Sequence, residues 1–375
     1  MLDLSFYQGK RVLITGHTGF KGTWMCRVLL MAGAQVTGYA LDAPTVPGLF
    51  ELCKLKGEMT SVCGDVRDLP HLKKVFDEVK PQIVIHMAAQ PIVREGYEHP
   101  VTTYETNVMG TVHVLECVRL HPEVRSFVNV TTDKVYKNKE WEWGYRENEE
   151  LDGYDPYSNS KSCSELATHC YVNSFLGQTR TAVSCMRAGN VIGGGDFAKD
   201  RIIPDCVRAL QERGKIQIRN PYSIRPYQHV LEPVCAYLYL AMRQYENPDF
   251  AGYYNVGPDE DGCISTGALV KLFCDDWNGG GKPDHIKRDG ERAGAEKMRP
   301  FADWEQTSGS GPHEAHFLRL DCSRFKQKTG WRPVWKIETA VEKVVQWLDV
   351  YFAGGDINQC MTDQIETFLQ EAEWG

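Results

Sequence analysis

A doubly wound parallel α/β sheet with a smaller, discontinuous C-terminal domain is the fold class this 375-residue sequence predicts. Three observations predict it. Strand-like runs alternate with helical patterns through the first 190 residues, as in parallel sheets covered by helices on both faces. A glycine-rich stretch, GHTGFKG at 16–22, joins the first run to the first helical pattern, where Rossmann-type sheets hold a dinucleotide. After about residue 190 the alternation weakens, and loops at 193–196, 278–283 and 303–312 interrupt the chain.

In chain order, the expected strands are 11–15, 35–40, 59–63, 82–86, 126–131 and 181–186, short apolar runs in which β-branched residues recur. Helical patterns at 22–31, 69–79, 104–120 and 157–173 lie between them, and others follow at 265–277 and 337–351. The expected division is an NAD-binding domain at 1–190, joined by parts of 225–260, and an interleaved substrate-binding domain at 191–375, with a cleft between them.

Bulk properties exclude several classes. A net charge of −8 argues against a nucleic-acid surface. Nothing near 18 consecutive apolar residues occurs, so no membrane span is expected. The N-terminus has no basic segment followed by an apolar one, which predicts a cytoplasmic protein. The 13 cysteines form no CxxC pair, so they read as reduced, buried small hydrophobes and no metal site is expected.

The loop at 16–22 follows a strand and opens a helix. Gly16, Gly19 and Gly22 allow a tight turn, close backbone approach to a pyrophosphate, and close helix–strand packing. The helix start, including Thr18 and Phe20, offers N–H groups and a partial positive charge. His17 stands where a small residue is expected, which predicts a weakened grip on the dinucleotide. Lys21, in the first helical turn, is expected to snorkel. Asp42 follows the second strand and is the candidate ribose ligand; no arginine sits in that turn, which favours NAD over NADP. Asp65 and Val66 are placed to flank the adenine, and Ala88, Ala89 and Gln90 to let a cofactor lie flat.

Tyr157 and Lys161 form YxxxK, and the i, i+4 spacing puts both on one helix face. A neighbouring ammonium and an oxidised nicotinamide would favour the phenolate and make Tyr157 a general base. The strand VNVTTDKVY ends in Thr132, Asp133 and Lys134, at the carboxyl end where ligands bind. A strand-end turn capped by Asp133 is the plainer reading of that segment.

Together these residues, with Asn107 in TNVMGT, resemble the extended short-chain dehydrogenases/reductases that act on nucleotide sugars. The resemblance covers essentially the whole chain and is nearest to the branch that dehydrates CDP-glucose. It is carried by GHTGFKG (16–22), GYALDAPTVPGLF (38–50), AAQPIVREGY (88–97), the long segment from TTDK to YSNSK (131–161), RAGNVIGGGDF (187–197) and GPHEAHFLRLDCS (311–323). It implies that Tyr157, aided by Thr132, takes the sugar 4-OH proton while hydride leaves C4 for NAD. Water then leaves across C5–C6 and the hydride returns to C6. Asp133 is the implied acid and Lys134 the implied base, which requires a desolvated site or cationic neighbours. Asn107 joins the cofactor residues; Gln90, Asn190, Arg201, Arg225, His313 and Glu314 are implied substrate contacts. The resemblance also implies a homodimer built from the helices at 104–120 and 157–173. Trp141 and Trp143 read as loop packing or a lid. Two other readings stay open: a nucleotide-sugar 4-epimerase or dehydratase for another nucleotide, and a non-catalytic NAD sensor.

Overall fold

The structure, a computed structural model, describes residues 2–259, 262–280, 300–307, 317–372 and 374. Seven strands form one parallel sheet: β1 (Arg11–Thr15), β2 (Gln35–Ala40), β3 (Thr60–Cys63), β4 (Ile83–His86), β5 (Ser126–Thr132), β6 (Ala182–Ala188) and β7 (Tyr253–Val256). Their order is β7-β6-β5-β4-β1-β2-β3, so the chain reverses direction across the sheet between β1 and β4. That reversal is the switch point where such sheets bind ligands.

The helices that matter here are α1 (Phe20–Met31), α2 (Leu69–Val79), α3 (Gly110–Leu120), α4 (Pro156–Tyr171), α5 (Ile202–Glu212), α6 (Leu231–Glu246), α7 (Thr266–Asp275), α8 (Ile337–Phe352) and α9 (Ile357–Glu371). Several start on a residue suited to it. Asp68 accepts the His71 N–H at the head of α2, and Asp155 accepts that of Ser158 at the head of α4, where Pro156 supplies the fixed φ. A short helix, Pro100–Tyr104, runs into α3 through a wide turn, Glu105–Met109.

Side chains alternate across β1. Val12 and Ile14 join a core with Trp24, Val128, Val130, Leu238, Val341 and Phe368, which ties α1, α6, α8 and α9 to one face. Leu13 points the other way, into a core with Phe76, Val84, Leu115 and Phe127 under α2 and α3. Burial on both faces explains why these strands read as continuous apolar runs.

The expected strands and helices are present, β1, β2 and α2 with the expected ends and the others shifted by a few residues. Sequence reading missed β7, α5, α6 and α9. Helix α6 has no polar face: its residues are buried from Leu231 to Met242, so it carries no amphipathic stripe. All 13 cysteines are free. Among the described residues no helix is long and apolar enough to cross a membrane.

Candidate active site

The loop after β1 is shaped by close approaches. Gly16 has φ +80°, and a Cβ there would lie 2.8 Å from the Ala88 backbone nitrogen. A Cβ on Gly22 would lie 2.2 Å from the Gly16 carbonyl oxygen. Only glycine fits either position. Thr15 Oγ1 accepts the N–H groups of Met87 and Ala88, both at 3.1 Å, which draws the ends of β1 and β4 together. Gly19 heads α1 with no side-chain cap, so the N–H groups of Phe20 and its neighbours remain for an anion. This cradle, next to the small Ala88 and Ala89, fits a dinucleotide pyrophosphate.

The flanking residues are mixed. Thr18 Oγ1 donates to the Leu41 carbonyl, tying the loop to the end of β2. The His17 ring is buried over Gly38, with Nε2 2.7 Å from Ser61 Oγ and its ring edge-on to Phe50. Burial lowers its pKa to about 4, so the ring is neutral. Asp42 is exposed beyond β2. Arg67 forks onto both Asp65 carboxylate oxygens and holds that pKa below its ordinary value. Asp65, Arg67, Glu105 and His113 line an open cleft here. Val66 is buried against Gly110.

Two expected ligands have other work. Asn107 is 1% exposed; it accepts the Gln90 N–H and donates to the Gln90 carbonyl and to Ser160 Oγ. The Gln90 side chain donates to Thr103 Oγ1 and accepts the Ile92 N–H. Both side chains therefore set the path of the chain after β4 and its distance from α4.

The candidate catalytic residues gather at the end of β5. Thr132 Oγ1 donates to Asp133 Oδ1 at 3.0 Å, and Thr132 lies beside the Tyr157 phenol, where it acts to lower its pKa. Asp133 is 2% exposed, and its Oδ2 has no hydrogen-bond partner. Burial raises its pKa, against the pull of Lys134, Thr132 and Arg225. This carboxyl holds a proton more tightly than an exposed aspartate. Lys134 is partly buried beside it.

Tyr157 and Lys161 share one face of α4, as the spacing predicts, but their relation differs from expectation. Lys161 Nζ donates to the Val130 carbonyl at 3.1 Å. Burial lowers the Lys161 pKa to about 8, opposed by Glu165. The Tyr157 phenol is pushed up to about 12 by burial; Thr132 and Arg201 act to lower it, with no leading contribution from Lys161. The chain's own charges therefore do not make Tyr157 a phenolate, because desolvation outweighs them.

Lys21 corrects another expectation. Its side chain turns inward and is only partly exposed. Its ammonium lies 5.9 Å over the Tyr237 ring, and burial with the nearby Arg201 and Lys161 lowers its pKa to about 7, against Asp133 and Asp196. Sequence reading also missed the buried pair behind the site. Glu165, 0% exposed, accepts from Arg187 through both oxygens and from Thr131 Oγ1, while Arg187 also donates to Tyr136 Oη.

On the substrate side, Arg225 is buried and acts on Asp133, and Arg201 donates to Asp196 Oδ2 at 3.2 Å while acting on Tyr157. Asn190 is partly buried after β6, and its carbonyl accepts the Gln228 N–H. His313 and Glu314 lie outside the described residues. Trp141 stacks on Tyr145 in a cluster with Leu318 and Leu320, which is loop packing, whereas Trp143 is exposed.

The sheet order, the glycine cradle at the switch point and the Thr–Tyr–Lys set define a dinucleotide-dependent enzyme of the short-chain dehydrogenase/reductase fold. The chain matches the model of the GDP-mannose 4,6 dehydratase family over residues 13–344 and belongs to that family. It is 45% identical over 375 residues to CDP-glucose 4,6-dehydratase of Salmonella typhimurium, covering 98% of this chain and 99% of that one. It is 29% identical over 349 residues to dTDP-D-glucose 4,6-dehydratase of Bos taurus, covering 90% of this chain and 88% of that one. Among solved structures, dTDP-glucose 4,6-dehydratase of Bacillus anthracis in complex with NAD superposes with a TM-score of 0.72 at 20% identity, covering 93% of this chain and 100% of that one. UDP-glucose 4-epimerase of Thermus thermophilus in complex with NAD gives 0.71 at 21% identity, covering 90% and 98%.

Proposed function

We propose that this protein is an NAD-dependent hydro-lyase that converts CDP-D-glucose to CDP-4-keto-6-deoxy-D-glucose. One observation carries the choice of dehydration over epimerisation. Asp133 is a buried carboxyl whose pKa burial raises; one of its oxygens has no hydrogen-bond partner, and the other accepts from Thr132, which lies beside Tyr157. Epimerisation needs the phenol but no such acid. The near full-length similarity to CDP-glucose 4,6-dehydratase supports the nucleotide.

NAD, when bound, supplies a hydride acceptor that is restored within the same turnover. The chain's residues handle the protons. Tyr157 takes the proton of the sugar 4-OH; a cation brought beside the phenol counters the burial that raises its pKa. Lys134 takes the C5 proton, which the adjacent ketone acidifies, and later returns it to C5. Asp133 gives its proton to the departing 6-OH, which leaves as water. Each turnover thus leaves Tyr157 with one proton gained and Asp133 with one lost, because the 4-ketone persists in the product. Thr132, which donates to Asp133 and lies beside the phenol, is assigned as the route by which that proton goes back.

Arg225, Arg201 and Asn190 are assigned to the sugar diphosphate, for which a guanidinium fork is suited. A homodimer is also proposed. Val101, Tyr104, Met109 and Leu120 on the helical run at 100–120, and Leu166 and Phe175 on α4 and its extension, are large apolar residues left exposed. Thirteen free cysteines agree with a reducing compartment such as the cytoplasm.

The test is incubation with NAD and, separately, CDP-glucose, dTDP-glucose, UDP-glucose and GDP-mannose, followed by the alkali-induced absorbance of a 4-keto-6-deoxy sugar. Product from CDP-glucose is expected. Product from dTDP-glucose with none from CDP-glucose would overturn the assignment.

A further inference from the structure

Helix α6 lies against β5, β6 and α1, and at its middle stands Tyr237, 0% exposed. Its hydroxyl has no hydrogen-bond partner. Other buried tyrosines around this helix are satisfied: Tyr7 Oη donates to the Leu238 carbonyl at 2.6 Å and Tyr239 Oη to the Thr329 carbonyl at 2.7 Å. Burying an unpaired hydroxyl in an apolar helix costs stability, and phenylalanine would avoid that cost. Tyr237 is also in electrostatic reach of Tyr157 and Asp133, and the Lys21 ammonium lies over its ring. At the end of β5, Asp133 Oδ2 is likewise buried and unpartnered.

We infer that Tyr237 is a substrate-positioning residue: its hydroxyl and Asp133 Oδ2 hold the sugar's C6 oxygen between them as it departs. This rests on the dehydratase reading above. In the step concerned, the C6–O bond breaks with its electron pair going to oxygen, and the Asp133 proton joins that oxygen to make water. The electrons left at C5 by proton removal form the C5–C6 double bond. Tyr237 keeps its own proton and donates it as a hydrogen bond to the leaving oxygen. Each unpartnered group thereby gains a partner when the sugar is bound.

Tyr237→Phe in the full-length protein, with NAD and CDP-glucose, tests this. Three results are expected together. The melting temperature holds or rises, because an unpaired buried hydroxyl is gone. Product formation falls by about tenfold, one hydrogen bond's worth, with KM little changed. In D2O, deuterium at C5 of recovered CDP-glucose rises relative to product, because C5 proton removal continues while water loss slows. Tyr237→Met, a second apolar variant, is expected to lose rate in the same way. An unchanged rate, or a rate loss that follows a fall in melting temperature with no gain in C5 exchange, overturns the inference. If wild-type protein forms no 4-keto-6-deoxy sugar from any nucleotide hexose, the dehydratase reading falls as well; if wild type turns over and Tyr237→Phe matches it, the inference falls alone.

Discussion

Glu165 and Asp133 are both buried acids beside the same strand, and the chain treats them in opposite ways. Glu165 meets Arg187 through both oxygens, and Arg187 in turn meets Tyr136 and the Glu147 carbonyl. Its charge is compensated within the molecule, and the pair braces α4 against β6. Asp133 accepts one hydrogen bond from Thr132 and has one oxygen with no partner. A buried polar atom left unpaired costs about 1–3 kcal/mol, a large share of the stability of an ordinary domain. On the proposed function the difference separates scaffold from chemistry: Glu165, its partners complete, fixes geometry, and Asp133, with one oxygen unpartnered, is the acid left to meet a substrate.

Asp133→Asn is the sharpest way to break that comparison. Loss of the proton donor is expected to lower kcat roughly 10²–10⁴-fold. The melting temperature should change little, since no intramolecular ion pair is lost; a comparable loss of both would place Asp133 in the scaffold. Tyr157→Phe is expected to abolish turnover while leaving nucleotide binding, measured by calorimetry, largely intact. Retained full activity would remove Tyr157 from the mechanism.

Glu165→Leu is expected to do the converse. It strands Arg187 in the interior and should cost about 3–5 kcal/mol in denaturant unfolding. Activity per folded molecule is expected to survive better than in Asp133→Asn. Thr132→Val tests the link between phenol and acid. About a tenfold to hundredfold lower kcat is expected, with a slow return of active enzyme after the first turnover in rapid-quench kinetics.

A third buried acid gives a pH signature. Glu232 accepts the N–H groups of Val334 and Trp335, and burial raises its pKa from 4.5 to about 8. The folded state holds this proton where the unfolded state has released it. Stability from this group is therefore complete below pH 4.5 and is lost as pH rises toward 8. Glu232→Gln keeps an acceptor for both N–H groups and has no proton to lose, so this contribution to the slope of stability against pH should vanish. An unchanged slope would show that Glu232 does not titrate in that window.

Much of the sheet could be read from the sequence. β1, β2 and α2 have the expected ends, because apolar runs bounded by Gly, Asp or Pro punctuation leave little choice. The Gly16, Gly22 and Tyr157/Lys161 spacings were legible for the same reason: each is a local requirement. What sequence did not reveal depends on packing. α6 lacks an amphipathic stripe because both sides are buried. Glu165 and Arg187 belong to different elements, so no spacing announces them. Lys21 was read as a surface cation because its cover, Tyr237, comes from a helix that was not foreseen. Asn107 and Gln90 were assigned to ligands because sequence shows residue type, whereas their hydrogen bonds run inward.

The place of β7 also bears on how the molecule is made. Asn255, in that strand, accepts the Tyr136 hydroxyl and donates to the carbonyls of Tyr145 and Asp321. A ribosome that has released only residues 1–190 has delivered the glycine loop and the Tyr157/Lys161 helix, but leaves β6 with a bare edge. That nascent chain is open to pairing with a neighbour until Tyr253–Val256 arrives. The sheet that carries the candidate site is thus completed late in synthesis, and an N-terminal fragment cut at residue 190 is expected to aggregate rather than serve as a portable nucleotide-binding module.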